Sequence, residues 1–236
     1  MKLFFYRNRV AAIAMPFHQV LFGIPSKLLM ALRPIKKSLL ILAIVFGIGN
    51  KISAQFTGNN QSWQLDYTAY KNGKEVGWSR INISKSGNQV YLVADSRLDI
   101  QFLISVEAKA HVTNRYYDNI LTTLSAFRTV NGKVKLDNKL ENSNGSYVVL
   151  KGEDFQQDLK PITNTVLSLY LNEPLFIKEV FSEVYLKYIP VNKIAKSVYE
   201  TPLPDGGTMT YYYSNGRVSR VVAKTFYGTV QFELNK

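Results

Sequence analysis

From Trp63 onward, apolar and polar residues alternate. Trp63, Leu65, Tyr67 and Ala69 are apolar, and Gln64, Asp66 and Thr68 fall between them. A period of two puts the two sets on opposite faces of a strand. Val106, Ala108, Ala110 and Val112 alternate in the same way with Glu107, Lys109 and His111. Their small side chains suit a tightly curved or crowded part of a sheet. Similar patterns predict strands over 76–84, 89–97, 122–130, 133–141, 146–151, 184–189, 196–201, 208–213, 217–225 and 227–234. The connections carry hairpin chemistry: Asn72-Gly73, Asn131-Gly132, Asn144-Gly145 and Asn215-Gly216, with Asp205-Gly206 as an acidic equivalent. Such pairs accept the positive φ angles of type I′ turns, whose twist matches adjacent antiparallel strands. The fold class expected is mainly β, a curled antiparallel sheet or β-barrel-like meander.

One stretch departs from this rhythm. After Pro161, the residues Ile162, Val166, Leu169 and Tyr170 follow the i, i+4, i+7, i+8 spacing of a helical face. Proline is tolerated in a first helical turn, and Pro174 blocks continuation. The spacing predicts a short helix over 161–172, packed on the sheet or plugging one end of the barrel.

Charge divides the chain in two. Residues 1–54 hold Lys2, Arg7, Arg9, Lys27, Arg33, Lys36, Lys37 and Lys51 and no Asp or Glu. The formal charge of +12 therefore falls to +4 from residue 55 onward, with 21 basic against 17 acidic residues. A nucleic-acid-binding domain carries its basic footprint on the folded part, so nucleic acid is not an expected partner. The basic segment is instead the front of an export signal. Arg33-Pro34-Ile35-Lys36-Lys37 precedes an apolar run from Leu39 to Ile48, and Ile52-Ser53-Ala54 supplies small residues for a peptidase. The run is too short for the ~20 apolar residues of a spanning helix, so no stable membrane span remains after cleavage. Residues 1–29 precede a conventional signal opening at Met30, so Met30 is the expected translation start, the alternative being a start at Met1 with an unusually long signal or a first membrane-associated segment. Residues 30–54 then form the signal peptide, cleaved after Ala54, and 55–236 a single periplasmic or extracellular β domain.

The C-terminal third carries a resemblance. Leu169-Tyr170-Leu171-Asn172-Glu173-Pro174, Val180-Phe181-Ser182-Glu183, Tyr199-Glu200-Thr201-Pro202-Leu203-Pro204-Asp205-Gly206 and Tyr211-Tyr212-Tyr213-Ser214-Asn215-Gly216 resemble a family of exported Gram-negative proteins known as a domain of unknown function. Trp63-Gln64-Leu65-Asp66-Tyr67 and Lys71-Asn72-Gly73-Lys74-Glu75-Val76-Gly77 resemble its N-terminal part. The resemblance implies an exported β protein and no assigned activity. Where the family usually has a glycine after Phe-Ser-Glu, this chain reads Val184-Tyr185-Leu186.

Chemistry-bearing residues are sparse. The chain has no Cys, which removes disulfides, thiolate metal sites and thiol nucleophiles. His111 is the single histidine of the exported part and lies in the polar phase of its strand. No hydrolase elbow, zinc-protease motif or phosphate-binding glycine loop is present. No catalytic residue, metal site or cofactor is predicted, and the protein is not expected to be an enzyme. Glu173, Glu179 and Glu183 form the one acidic cluster, and as a pair across a cleft they would suit a carboxylate-dependent glycoside hydrolase, the least favoured reading. The 15 Tyr, 13 Phe and 2 Trp point instead to binding. Trp63, Tyr67, Tyr170, Phe181, Tyr211 and Tyr213 are the candidate contacts for a hydrophobic or amphiphilic small molecule or lipid, held in a cavity of the curled sheet. The alternative is a structural or protein-interaction domain with an envelope protein as partner.

N-terminal mass spectrometry of the protein from its native host is expected to find Gln55 as the first residue and no peptide from residues 1–29. An intact leader would contradict the export signal.

Overall fold

The structure, a computed structural model, describes residues 60–101, 105–152, 160–225 and 228–236. The predicted leader, residues 1–54, lies outside them. The described chain forms β1 (Gln61–Lys71), β2 (Lys74–Ser86), β3 (Gln89–Gln101), β4 (Ser105–Tyr117), β5 (Ile120–Val130), β6 (Lys133–Ser143), β7 (Ser146–Lys151), β8 (Glu179–Ser182), β9 (Lys187–Pro190), β10 (Asn192–Ala195), β11 (Val198–Pro202), β12 (Thr208–Ser214), β13 (Arg217–Thr225) and β14 (Gly228–Leu234). Twelve of these make one antiparallel sheet in the order β10-β11-β12-β13-β14-β1-β2-β3-β4-β5-β6-β7. Every neighbour pair is also a sequence neighbour except β1 with β14, where Tyr67 faces Leu234 and Tyr70 faces Gln231. That pair joins two meanders into one surface. The sheet does not close: β7 and β10 are its edges.

The turn chemistry largely follows from sequence. Asn72-Gly73, Asn131-Gly132, Asn144-Gly145 and Asn215-Gly216 all have positive φ at both residues, as type I′ turns require. Asp118-Asn119 does the same between β4 and β5 without a glycine, at φ 50° and 63°. Asp205-Gly206 differs, because only Gly206 has a positive φ. The wider loop is closed by the Leu203 amide donating to the Gly207 carbonyl at 2.8 Å. Gly77, at φ 151°, is required by space as well as conformation: a Cβ there would lie 2.0 Å from the Arg97 carbonyl oxygen.

The predicted helix over 161–172 is not formed. Only Leu167–Tyr170 makes a single 3₁₀ turn, and the chain before it is irregular. Its backbone groups are taken by strands rather than by a helical ladder. The Val166 amide donates to the Phe181 carbonyl at 3.0 Å, the Phe181 amide to the Asn164 carbonyl at 2.9 Å, and the Leu121 amide to the Ile162 carbonyl at 2.8 Å. The apolar spacing that mimics a helical face arises because Ile162, Val166, Leu169 and Tyr170 are all buried, by different turns of an irregular path. The strand predicted over 184–189 also resolves differently, as β8 and β9 around a turn at 183–186, paired Glu179 to Pro190 and Ser182 to Lys187. Leu186 occupies the left-handed position of that turn at φ 49°, with its amide donating to the Ser182 carbonyl at 2.9 Å. A bulky residue there is strained. Its side chain is buried in the core, which offsets the strain.

Residues 160–191 therefore form a plug whose buried residues lie inside the curl, while Leu175 and Phe176 reach the surface. Its buried residues Ile162, Leu169, Tyr170, Phe181 and Ile189 join a single core cluster with inward residues of the sheet such as Leu65, Ile81, Leu92, Leu124, Val221 and Phe232.

Candidate functional site

The sheet's concave side holds the aromatic candidates. Tyr67, Tyr170 and Tyr211 are brought together edge to face, with ring centroids 5.7 Å apart for Tyr67 and Tyr170 and 6.2 Å for Tyr170 and Tyr211. The Tyr67 hydroxyl donates to the Val218 carbonyl at 2.9 Å, and the Tyr213 hydroxyl to the Leu169 carbonyl at 2.8 Å. Tyr213 also packs edge-on against Tyr199 at 5.6 Å, and Phe181 against Tyr188 at 5.5 Å. Burial pushes the Tyr67, Tyr211 and Tyr213 hydroxyls well above the ordinary tyrosine range, which keeps them neutral. Trp63 stands apart on β1, half-buried, with the Lys85 ammonium 5.2 Å from its ring. Four of the six predicted contacts thus pack sheet against plug, and Phe181 packs within the plug.

A buried polar knot fastens the plug. Asn114, in the inward phase of β4, donates from Nδ2 to Glu183 Oε1 and to Thr165 Oγ1, both at 2.8 Å. The Leu167 amide also donates to Glu183 Oε1, at 2.9 Å, and the Tyr116 hydroxyl lies 2.8 Å from Thr165 Oγ1. Asn138 on β6 donates to the carbonyls of Glu183 at 3.0 Å and Val184 at 2.8 Å. Tyr147 on β7 accepts from the Ile162 amide at 2.9 Å and donates to the Leu121 carbonyl at 3.0 Å. Glu183 is 3 % exposed, and burial raises its carboxyl pKa against the lowering effect of its hydrogen-bond donors. The other two members of the acidic cluster have structural partners as well. Glu173 accepts from the Tyr199 hydroxyl at 2.9 Å, and Glu179 pairs with Lys160 at 2.6 Å.

A second constellation lies on the convex face. Trp78, Arg97, Lys109 and Thr129 share one cross-strand row of β2–β5, and Arg80, Asp95, His111 and Phe127 share the next but one. His111 Nδ1 lies 2.7 Å from Asp95 Oδ1, and Arg97 bridges Asp99 at 2.9 Å and Glu107 at 2.8 Å. Lys109 completes the network on Glu107 at 3.0 Å. Trp78 is 44 % and Phe127 36 % exposed. Trp78, Asp95, Arg97, Lys109, His111 and Phe127 line an open depression of about 380 Å³. The placement of His111 on the polar face follows from strand phase, whereas Trp78 and Phe127 were not singled out from sequence. Both are large apolar residues in the polar phase of their strands, which is the signal that marks them. Among the described residues, no group of three or more His, Asp or Glu side chains converges as a metal site would.

Residues 67–235 match the family described as domain of unknown function DUF6134. The chain belongs to this family. The match takes in the plug, its polar knot and the convex-face constellation. Among solved structures, a beta-barrel-like protein of domain of unknown function DUF1849 from Brucella abortus is similar at 12 % identity and a TM-score of 0.46, over 76 % of this chain and 96 % of that one. The comparison with curated proteins finds no match.

The knot has a pH signature. A carboxyl whose folded pKa is raised stabilises fully below its unfolded pKa, and that contribution is lost as pH rises through the folded value. Denaturant unfolding of the wild type is therefore expected to lose stability as pH rises above the ordinary carboxyl value of 4.5, relative to Glu183→Gln, which keeps an acceptor oxygen without a charge. Glu183→Ala, which strands the Asn114 and Leu167 donors, is expected to cost about 2–4 kcal/mol. Parallel pH profiles for wild type and Glu183→Gln would contradict the assignment.

Proposed function

We propose that this member of the DUF6134 family is a non-enzymatic, exported interaction domain of the cell envelope, engaging a protein partner through the convex face of β2–β5. The observation that carries the reading is the division between the two faces of the sheet. The concave face is committed to the chain's own plug, with Tyr67, Tyr170 and Tyr211 fully buried against one another. The convex face presents Trp78 and Phe127 about 15 Å apart at the usual strand spacing. Between them lie charged groups already held in fixed geometry by mutual pairing. Exposed aromatics with an ordered arginine are the residue types that dominate protein interfaces, while mutual ion pairing lowers the cost of ordering long side chains on binding. Arg97 is held by both Asp99 and Glu107.

Export rests on the basic stretch, the apolar run and the small residues before Gln55. No helix among the described residues is long and apolar enough to cross a membrane.

The double variant Trp78→Ala/Phe127→Ala is expected to reduce recovery of a co-purifying envelope protein by tenfold or more, on the order of 1.4 kcal/mol or above. Its melting temperature is expected to stay at the wild-type value, since both side chains lie outside the core. Affinity purification of tagged wild type and variant from the native envelope, compared with a Val148→Ala control on β7, makes the measurement. Equal recovery of every partner by all three proteins would remove this reading.

A further inference from the structure

Leu175 and Phe176 form the tip of a short loop between the 3₁₀ turn and β8. Leu175 is 58 % exposed and Phe176 95 %, the most exposed large apolar side chain among the described residues. The backbone that carries them is closely held. The Leu175 amide donates to the Glu173 carbonyl at 2.9 Å and the Ile177 amide to the Pro174 carbonyl at 3.4 Å, so Leu175 and Phe176 are the two central residues of a β-turn. Both flanks are anchored: Pro174 is buried, and Ile177 packs against the core cluster. Glu173 fixes the entry by accepting from the Tyr199 hydroxyl at 2.9 Å and the Ser197 hydroxyl at 3.4 Å. The Lys178 carbonyl fixes the exit by accepting from the Val191 amide at 2.8 Å. Turn centres ordinarily take Gly, Pro, Asn, Asp or Ser. A Leu-Phe pair held in solvent at that place breaks the local rule, and nothing in the fold uses the two side chains.

Exposed lysines adjoin the tip. Lys178 follows Phe176 by two residues, and Lys193 and Lys196 belong to the β10–β11 hairpin, whose Ser197 contacts Glu173. The Lys193 ammonium lies 5.7 Å from the ring of Tyr199, whose hydroxyl holds the same Glu173. The acids of the loop are already engaged, Glu173 with Tyr199 and Ser197 and Glu179 with Lys160 at 2.6 Å. Glu200, half-buried on β11 opposite Asn192, is the remaining acid of the hairpin.

We propose that this loop docks the protein on an anionic lipid bilayer, with Leu175 and Phe176 entering the boundary between headgroups and acyl chains and Lys178, Lys193 and Lys196 facing the lipid phosphates. The apolar tip gains by leaving water, and the ammonium groups beside it gain from the negative surface potential. A two-residue tip offers far less than the ~800 Å² per partner of a standard protein interface, whereas a fluid bilayer accepts it without a shaped pocket. This surface is built from other elements than Trp78 and Phe127 and is independent of the convex-face reading.

Co-sedimentation of the mature protein with vesicles of phosphatidylglycerol and phosphatidylcholine in equal parts, and with vesicles of phosphatidylcholine alone, tests the assignment. The wild type is expected to bind the mixed vesicles, to bind phosphatidylcholine about tenfold more weakly, and to lose affinity as salt rises. Leu175→Ser/Phe176→Ser is expected to melt with the wild type, since neither side chain lies in the core, and to bind mixed vesicles weaker by about tenfold or more. Phe176→Trp keeps the tip apolar and reports insertion directly. Its emission is expected to shift to shorter wavelength on mixed vesicles and to be quenched by lipids brominated in the acyl chain, beyond any change in the wild type. No sedimentation of the wild type, binding indifferent to lipid charge, wild-type affinity in the double serine variant, or Phe176→Trp emission unmoved by vesicles would overturn the proposal. Loss of a co-purifying protein from the serine variant, with no vesicle binding by the wild type, would assign the tip to a protein partner instead.

Discussion

An irregular segment placed inside an apolar shell must find a partner for every backbone N–H and C=O it carries. In this protein that constraint falls on residues 160–191, and the sheet meets it with polar side chains set at inward positions. Asn114 holds Thr165 and Glu183, Asn138 holds the carbonyls of Glu183 and Val184, and Tyr147 holds the amide of Ile162. These three sheet residues belong to β4, β6 and β7, so the plug is tied to the same half of the meander. On the opposite half the contacts are aromatic, with Tyr170 wedged between Tyr67 and Tyr211. Hydrogen bonds fix where the plug lies, and apolar burial supplies most of the force that keeps it there.

The same arrangement accounts for an open sheet. A closed barrel satisfies its edges by pairing them. Here β7 and β10 remain edges, and the plug instead bonds to residues of the adjoining strands from within. β10 is exposed along its length and carries Lys193, a charged residue of the kind that discourages edge-to-edge association.

Much of this fold was legible in the sequence, for a definable reason. Half-buried antiparallel strands print their burial directly as a period of two, so β1, β4 and β13 could be read with little error. The Asn-Gly pairs likewise encode their own backbone angles. The plug could not be read this way because its order comes from distant partners: Ile162 and Val166 are buried by β5, β7 and β8, and no local rule distinguishes that from one face of a helix. β10 escaped notice for the opposite reason, being exposed at every position. The interior polar residues left a weak trace. Asn114 and Asn138 each occupy the apolar phase of a strand, and a polar residue out of phase is the mark of a buried function. Glu183 drew attention as an acid, but its role as the plug's acceptor required the fold to be seen. The tyrosines were picked from sequence as contacts for a small molecule; Tyr67, Tyr170 and Tyr211 pack against one another in the core.

The central claim is that residues 160–191 are an integral part of the core and not a displaceable cover. Native-state hydrogen exchange tests it most directly, through the amides of Val166, Leu167 and Phe181, which bond to the Phe181 carbonyl, Glu183 Oε1 and the Asn164 carbonyl. These amides are expected to exchange only with global unfolding, at the same free energy as central amides of β3 and β4. Exchange of the plug amides through a separate, lower-energy opening while β3 and β4 stay protected would contradict the account.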